Sequence, residues 1–135
     1  MNATRPPVGI PRKILAFVAA AFGVLTVVAG GRVLAGADPG YIVFRPLLIF
    51  NTAMGAAYLA AAIVMLRSLE GGNLAAAAIF LLNLLVLGAI GYLYATGGAV
   101  AIDSVRAMTL RTGVWLFLFL GLVWLGRRSA ARTSR

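Results

Sequence analysis

The chain has 135 residues, 62% of them apolar and only 11% charged, with a formal net charge of +9. Soluble domains sit nearer half apolar and a quarter charged. With a mean hydropathy of +1.00, the composition excludes a soluble enzyme, a nucleic-acid-binding domain and a disordered tail, and points to an integral membrane protein. Histidine and cysteine are absent, which excludes disulfides, iron–sulfur clusters, histidine-ligated haem, ordinary zinc sites and a histidine proton relay. The only acids are Asp38, Glu70 and Asp103; a hard-cation site would have to draw on these plus carbonyls, and neither metal nor cofactor is expected.

Residues 1–13 form a basic segment carrying Arg5, Arg12 and Lys13, and the first apolar stretch runs over 14–34. The basic start, the apolar run and Ala35-Gly36-Ala37 resemble a secretory signal with a small-x-small cleavage site. Arg32 interrupts the approach to Ala37-Asp38, and a retained first helix is expected. Asp38-Pro39-Gly40 reads as a turn. The second stretch spans 46–66, with Pro46 in the first helical turn, where a missing N–H costs nothing. Glu70-Gly71-Gly72-Asn73 reads as a tight turn before a third stretch over 74–95, which Gly97-Gly98 ends. Each of these stretches meets the roughly 20 residues that a 30 Å bilayer core requires.

The fourth stretch ends near Gly126. Begun after Arg111, it would hold only 15 residues, or about 22 Å at the α-helical rise. The helix must therefore begin earlier, with Asp103 or Ser104 as its N-cap. A span of 104–126 places Arg106 and Arg111 inside the helix, and 127–135 follows as a basic tail. The predicted fold class is all-α: a four-helix transmembrane bundle over 14–126 with short loops.

Lys and Arg bias sets the orientation. Arg5, Arg12, Lys13, Arg67, Arg127, Arg128, Arg132 and Arg135 fall on one side, against Arg32, Arg45, Arg106 and Arg111 on the other. Both termini are expected in the cytoplasm of a multi-pass cell (inner) membrane protein. The basic residues flank apolar segments, so the expected partner is the lipid bilayer, with anionic lipids at its cytoplasmic face. Nucleic acid is not expected, because no basic run is long enough to track phosphates. A weak internal echo also exists: Gly30-Gly31 precedes Asp38 and Arg45, as Gly97-Gly98 precedes Asp103 and Arg111. Parallel repeats are a transporter device, but chance explains this echo more simply.

Several patterns together carry a resemblance. They are Gly30-Gly31-Arg32-Val33-Leu34-Ala35-Gly36; Phe50-Asn51, Gly55 and Tyr58-Leu59-Ala60; and Gly97-Gly98 with Ala107-Met108-Thr109-Leu110-Arg111 and Trp115. Over about two thirds of its length the chain resembles a group of small, uncharacterised four-helix bacterial membrane proteins. The resemblance implies the architecture and supplies no function. Members of that group often carry a histidine late in the third helix and a Tyr-Glu pair after the diglycine; here Val100 and Ala101 follow Ala99.

Polar groups inside the bilayer are the default candidates for function, since each needs a partner in hydrocarbon. At about 1.5 Å per residue, Asn51 and Arg111 lie roughly 8 and 10 Å in from the outer ends of their helices. Tyr58 and Asn83 both fall near 18 Å, around the bilayer middle. Two polar layers are predicted: Arg111 with Asn51, and Asn83 with Tyr58. Asn51, Gly55, Tyr58 and Ala62 share one helix face, as do Arg111, Trp115, Leu118 and Leu122, and Asn83, Leu87, Ile90 and Tyr94. These three faces should meet.

The plain reading is that the asparagines hydrogen-bond neighbouring helices, for about 0.6 kcal/mol on average, and that Arg111 snorkels outward along Trp115. The sharper reading is an outward-facing cationic pocket. Arg111 forms its floor and Arg45 and Arg106 its rim, with Asp38 and Asp103 as counter-charges. Such a pocket suits an anionic headgroup, a carboxylate or a quinone-like carbonyl.

Ala16/Ala20, Ala19/Gly23, Ala53/Ala57 and Ala56/Ala60 are small-xxx-small pairs that allow close helix approach. Tyr41, Tyr92, Tyr94, Trp115 and Trp124 are expected at or near the membrane interfaces. No catalytic constellation is visible: no base stands beside a nucleophile, and nothing pairs the carboxylates. Proton-coupled small multidrug carriers, also four-helix chains, need a carboxylate within the membrane, which this chain lacks. The expectation is a non-enzymatic accessory or assembly subunit of a membrane complex, or a homo-oligomer. The alternative is a small carrier or binding protein for an anionic or amphiphilic solute at the arginine cluster.

Overall fold

The computed structural model describes residues 9–134. Arg5 and Arg135, both used in the charge count, lie outside them. Four helices follow in order: α1 Gly9–Leu34, α2 Arg45–Arg67, α3 Leu69–Ala95 and α4 Ile102–Thr133. There is no strand among the described residues. The shortest helix has 23 residues, about 35 Å at 1.5 Å per residue, and all four are long and apolar enough to cross a membrane. The chain is a multi-pass helical membrane protein. α1 packs chiefly on α2 and α3 on α4, and neighbours run antiparallel, so Gly9 and Thr133 share one end of the bundle. That end is called terminal below; the end carrying segments 35–44 and 96–101 is called distal.

Three predicted spans are corrected. α1 begins at Gly9 rather than 14, with Pro11 in its first turn, where proline is tolerated. α3 begins at Leu69 rather than 74, so Glu70-Gly71-Gly72-Asn73 is helical and not a turn. The turn is Ser68 alone. Its N–H closes α2 on the Val64 carbonyl at 2.9 Å, and its Oγ accepts from Gly71 N at 3.0 Å as the N-cap of α3. Gly72 serves close packing instead: a Cβ there would stand 2.9 Å from Met65 Cα. α4 runs over 102–133 rather than 104–126, so most of the basic tail is helical. Its N-cap is Ala101, which has no capping side chain, and neither Asp103 nor Ser104 fills that role. Asp103 sits in the first turn, where the helix dipole favours a negative charge.

The distal ends follow the expected chemistry. Asp38 Oδ1 accepts from Gly40 N at 2.8 Å, which closes the Asp38-Pro39-Gly40 turn. α3 ends in a Schellman motif, with Gly98 N on Leu93 O at 2.7 Å, Gly97 N on Tyr94 O at 3.2 Å and Gly97 at φ +79°. That φ is strained for any residue with a Cβ. α1 ends the same way at Gly36, not at Gly30-Gly31, which lies inside the helix. The two glycine pairs therefore do different work, and the internal echo has no structural counterpart.

Two of the small-residue pairs are also corrected. Ala16, Ala19 and Gly23 are buried on α1, but Ala53, Ala56 and Ala60 point away from the bundle. The close crossing on α2 is made by Gly55, where a Cβ would stand 2.7 Å from Val27 Cγ2 and 3.0 Å from Val27 N. Trp115 is fully buried rather than at an interface, whereas Tyr41, Tyr92, Tyr94 and Trp124 are exposed. Arg128 lies over the Trp124 ring at 3.9 Å.

Candidate functional site

The middle of the bundle is a junction of all four helices. Tyr58 of α2, Asn83 of α3 and Trp115 of α4 are each 0% exposed. The Tyr58 hydroxyl donates to Asn83 Oδ1 at 3.2 Å. Its ring lies 4.8 Å from that of Trp115 and 5.9 Å from that of Phe22 on α1. The depth match between Tyr58 and Asn83 thus corresponds to a direct contact. Asn83 Nδ2 and Trp115 Nε1 make no hydrogen bond among the described residues. Around this junction Ala62, Leu118 and Leu122 complete the core.

The second polar layer lies nearer the distal end. Asn51 is 9% exposed, and with Arg111 it lines a cavity of about 230 Å³. Thr26 and Ala29 on α1, Tyr41 on the connecting segment and Ser104 and Ala107 on α4 share the lining. Helix geometry places these groups together. Ser104, Ala107 and Arg111 are spaced i, i+3, i+7 and project along one side of α4. Asn51 Oδ1 and Arg111 Nε are both buried without a hydrogen-bond partner among the described residues. Leaving such groups unpaired costs about 1–3 kcal/mol each. Thr112, by contrast, satisfies its hydroxyl on the Met108 carbonyl at 2.8 Å.

The remaining predicted members stand elsewhere. Arg106 is exposed and pairs with Asp103 at 3.7 Å, one helical turn away. Arg45 is exposed and lines an adjoining groove that shares Val33, Pro39, Val43 and Leu48 with the walls of the Arg111 cavity. Asp38 is occupied by its own turn. None of Arg45, Arg106, Asp38 and Asp103 lines the Arg111 cavity itself. Five residues along a helix is a rotation of about 140°, so Arg106 cannot share the Arg111 face. The same arithmetic separates Arg45 from Asn51 by about 120°.

Sequence reasoning missed Thr26, Tyr41 and Ser104. Thr26 could have been found, since it follows Ala19 and Gly23 on one face at i+7 and i+3. Ser104 was assigned to capping and Tyr41 to the interface.

The chemistry of the cavity is therefore one guanidinium, one amide and three hydroxyls in an apolar frame. Such a set can bind and orient an anion through charge-assisted hydrogen bonds. It offers no nucleophile–base pair, and among the described residues no three of His, Cys, Asp and Glu cluster. Fold and cavity define a multi-pass helical bundle with a cationic cavity near its distal end. In comparisons with known proteins, the chain matches no family model, no curated protein and no solved structure.

Proposed function

We propose that the protein is a binding protein or small carrier of the bacterial inner membrane that holds the anionic group of an amphiphilic solute on Arg111. The observation that carries this reading is the pairing of two buried, unpartnered groups, Asn51 Oδ1 and Arg111 Nε, around one cavity. A charged side chain inside a span is tolerated only at a cost of about 2.5–3.5 kcal/mol at the helix centre. An anion on Arg111 offsets that cost by accepting from the guanidinium. The Lys/Arg bias puts both termini in the cytoplasm, so the distal cavity faces outward.

Native mass spectrometry after gentle extraction from the protein's own membranes tests the reading. A retained anionic lipid or solute is expected, and it should be lost in Arg111→Gln while the fold survives. Retention unchanged in that variant would overturn it.

A second reading, an accessory subunit or homo-oligomer without catalytic function, draws on a different observation. Ala53, Ala56 and Ala60 face away from the bundle, and Gly88 and Gly91 have open space where a Cβ would stand. Small residues on an outer face let another helix approach closely. A reproducible stoichiometric protein partner in the same spectra would favour this reading.

A further inference from the structure

The way α1 and α4 part at the distal end narrows the chemistry of the ligand. At the terminal end the two helices touch: a Cβ on Gly121 would stand 3.2 Å from Leu15 Cδ1. At the distal end Thr26 and Ala29 line the cavity from α1, and Ala107 and Arg111 line it from α4. The two helices thus touch toward the terminal end and flank the cavity at the distal end. Ala29 is exposed and Ala107 half-exposed, so methyl groups border the cavity on its α1 and α4 sides. Segment 35–44 contributes Pro39, Tyr41 and Val43 to the lining on the distal side.

Size decides what fits. The cavity of about 230 Å³ is on the scale of the roughly 150 Å³ apolar cavity that holds a benzene ring. That is room for a carboxylate or phosphate head and a few carbons, not for a whole lipid. The rest of an amphiphile must lie outside the cavity, and the apolar medium next to it is the bilayer beyond Ala29 and Ala107. We infer, resting on the binding reading above, that the ligand is a single-chain amphiphile with an anionic head, which reaches Arg111 sideways from the bilayer between α1 and α4. Its head accepts from the guanidinium, and its chain passes out between the two alanines.

Trp115, one turn from Arg111 and fully buried, reports on the site. The chain has two tryptophans, so Trp124→Phe leaves Trp115 as the sole fluorophore. The protein is placed in phosphatidylcholine vesicles and titrated with a fatty acid brominated on its chain. Saturable quenching is expected, weakened about tenfold or more in Arg111→Gln and largely kept in Arg111→Lys. The Ala29→Leu/Ala107→Leu double variant, which fills the gap, should weaken it about as much. In the Trp124→Phe protein, competition should strengthen with chain length from acetate through hexanoate to decanoate, a measurement that does not depend on how the gap variants fold.

Arg111-dependent binding with equal competition by acetate and decanoate, or with no effect of gap filling in a folded variant, would overturn the lateral route. The cavity would then serve a water-borne anion, and displacement of the probe by inorganic phosphate would identify that source. Quenching indifferent to both Arg111 variants would overturn the binding reading itself.

Discussion

Tyr58 offers a quantitative test of what holds the bundle together. Replacing it with Phe removes one hydroxyl from a site with no solvent access. The bond it makes to Asn83 is 3.2 Å long, beyond the 2.7–2.8 Å usual for O–H···O. Hydrogen bonds between membrane helices average about 0.6 kcal/mol and reach about 1.7. A long bond belongs in the lower half, so Tyr58→Phe should cost about 0.5–1 kcal/mol.

Tyr58→Ala also removes a ring packed between Phe22 and Trp115. Large-to-small core changes of this kind cost about 3–5 kcal/mol in water-soluble proteins. Part of that figure is transfer from water, which vanishes when the unfolded reference is lipid, so about 2–4 kcal/mol should remain. The measurement is reversible unfolding by sodium dodecyl sulfate in mixed micelles, with Tyr58→Phe and Asn83→Leu combined in a double-mutant cycle. The single variants should couple by about 0.5 kcal/mol or more, since Asn83 without Tyr58 keeps an unpaired carbonyl. If Phe costs as much as Ala, or the cycle shows no coupling, the polar contact and the ring packing have been weighed wrongly.

Three further outcomes are expected. Gly55→Val should destabilise by about 2 kcal/mol or more, because backbone of α1 blocks the new Cβ, whereas Gly88→Ala should be neutral or stabilising by helix propensity; thermal melts in detergent separate the two. Ser68→Ala should cost about 1 kcal/mol through the lost N-cap, and Ser68→Asp should recover most of it, read by the same melts. A reporter active only in the cytoplasm should be active at the C-terminus and silent when inserted after Gly40; the reverse pattern would invert the bundle.

The elements were legible because apolar length is a one-dimensional property. The runs that became α1 to α4 stand out from their flanks, and Arg111 had to be helical simply because Thr112–Gly126 is too short. Depth was legible for the same reason, and it placed Tyr58 beside Asn83. The direction around each helix was less well used. Arg106 has nearly the right depth for the cavity but the wrong azimuth, and Arg45 lines the groove beside the cavity rather than the cavity itself.

The start of α3 was misread because two glycines and an asparagine resemble a turn. Gly72 is there to let α3 approach Met65, a contact that cannot be seen before the partner helix is in place. Trp115 was expected at an interface because tryptophan favours that depth; packing against Tyr58 prevailed.

The lone residue between α2 and α3 has a mechanical consequence. Ser68 caps both helices at once, and one residue spans at most about 3.6 Å of chain. Neither helix can slide along its axis or turn against the other without breaking a cap. Ser68 is therefore a joint without slack between two closely packed pairs, α1 with α2 and α3 with α4. Any parting of α1 from α4 at the distal end is then a swing of one pair against the other, about Ser68 and the contact of Leu15 with Gly121, both toward the terminal end.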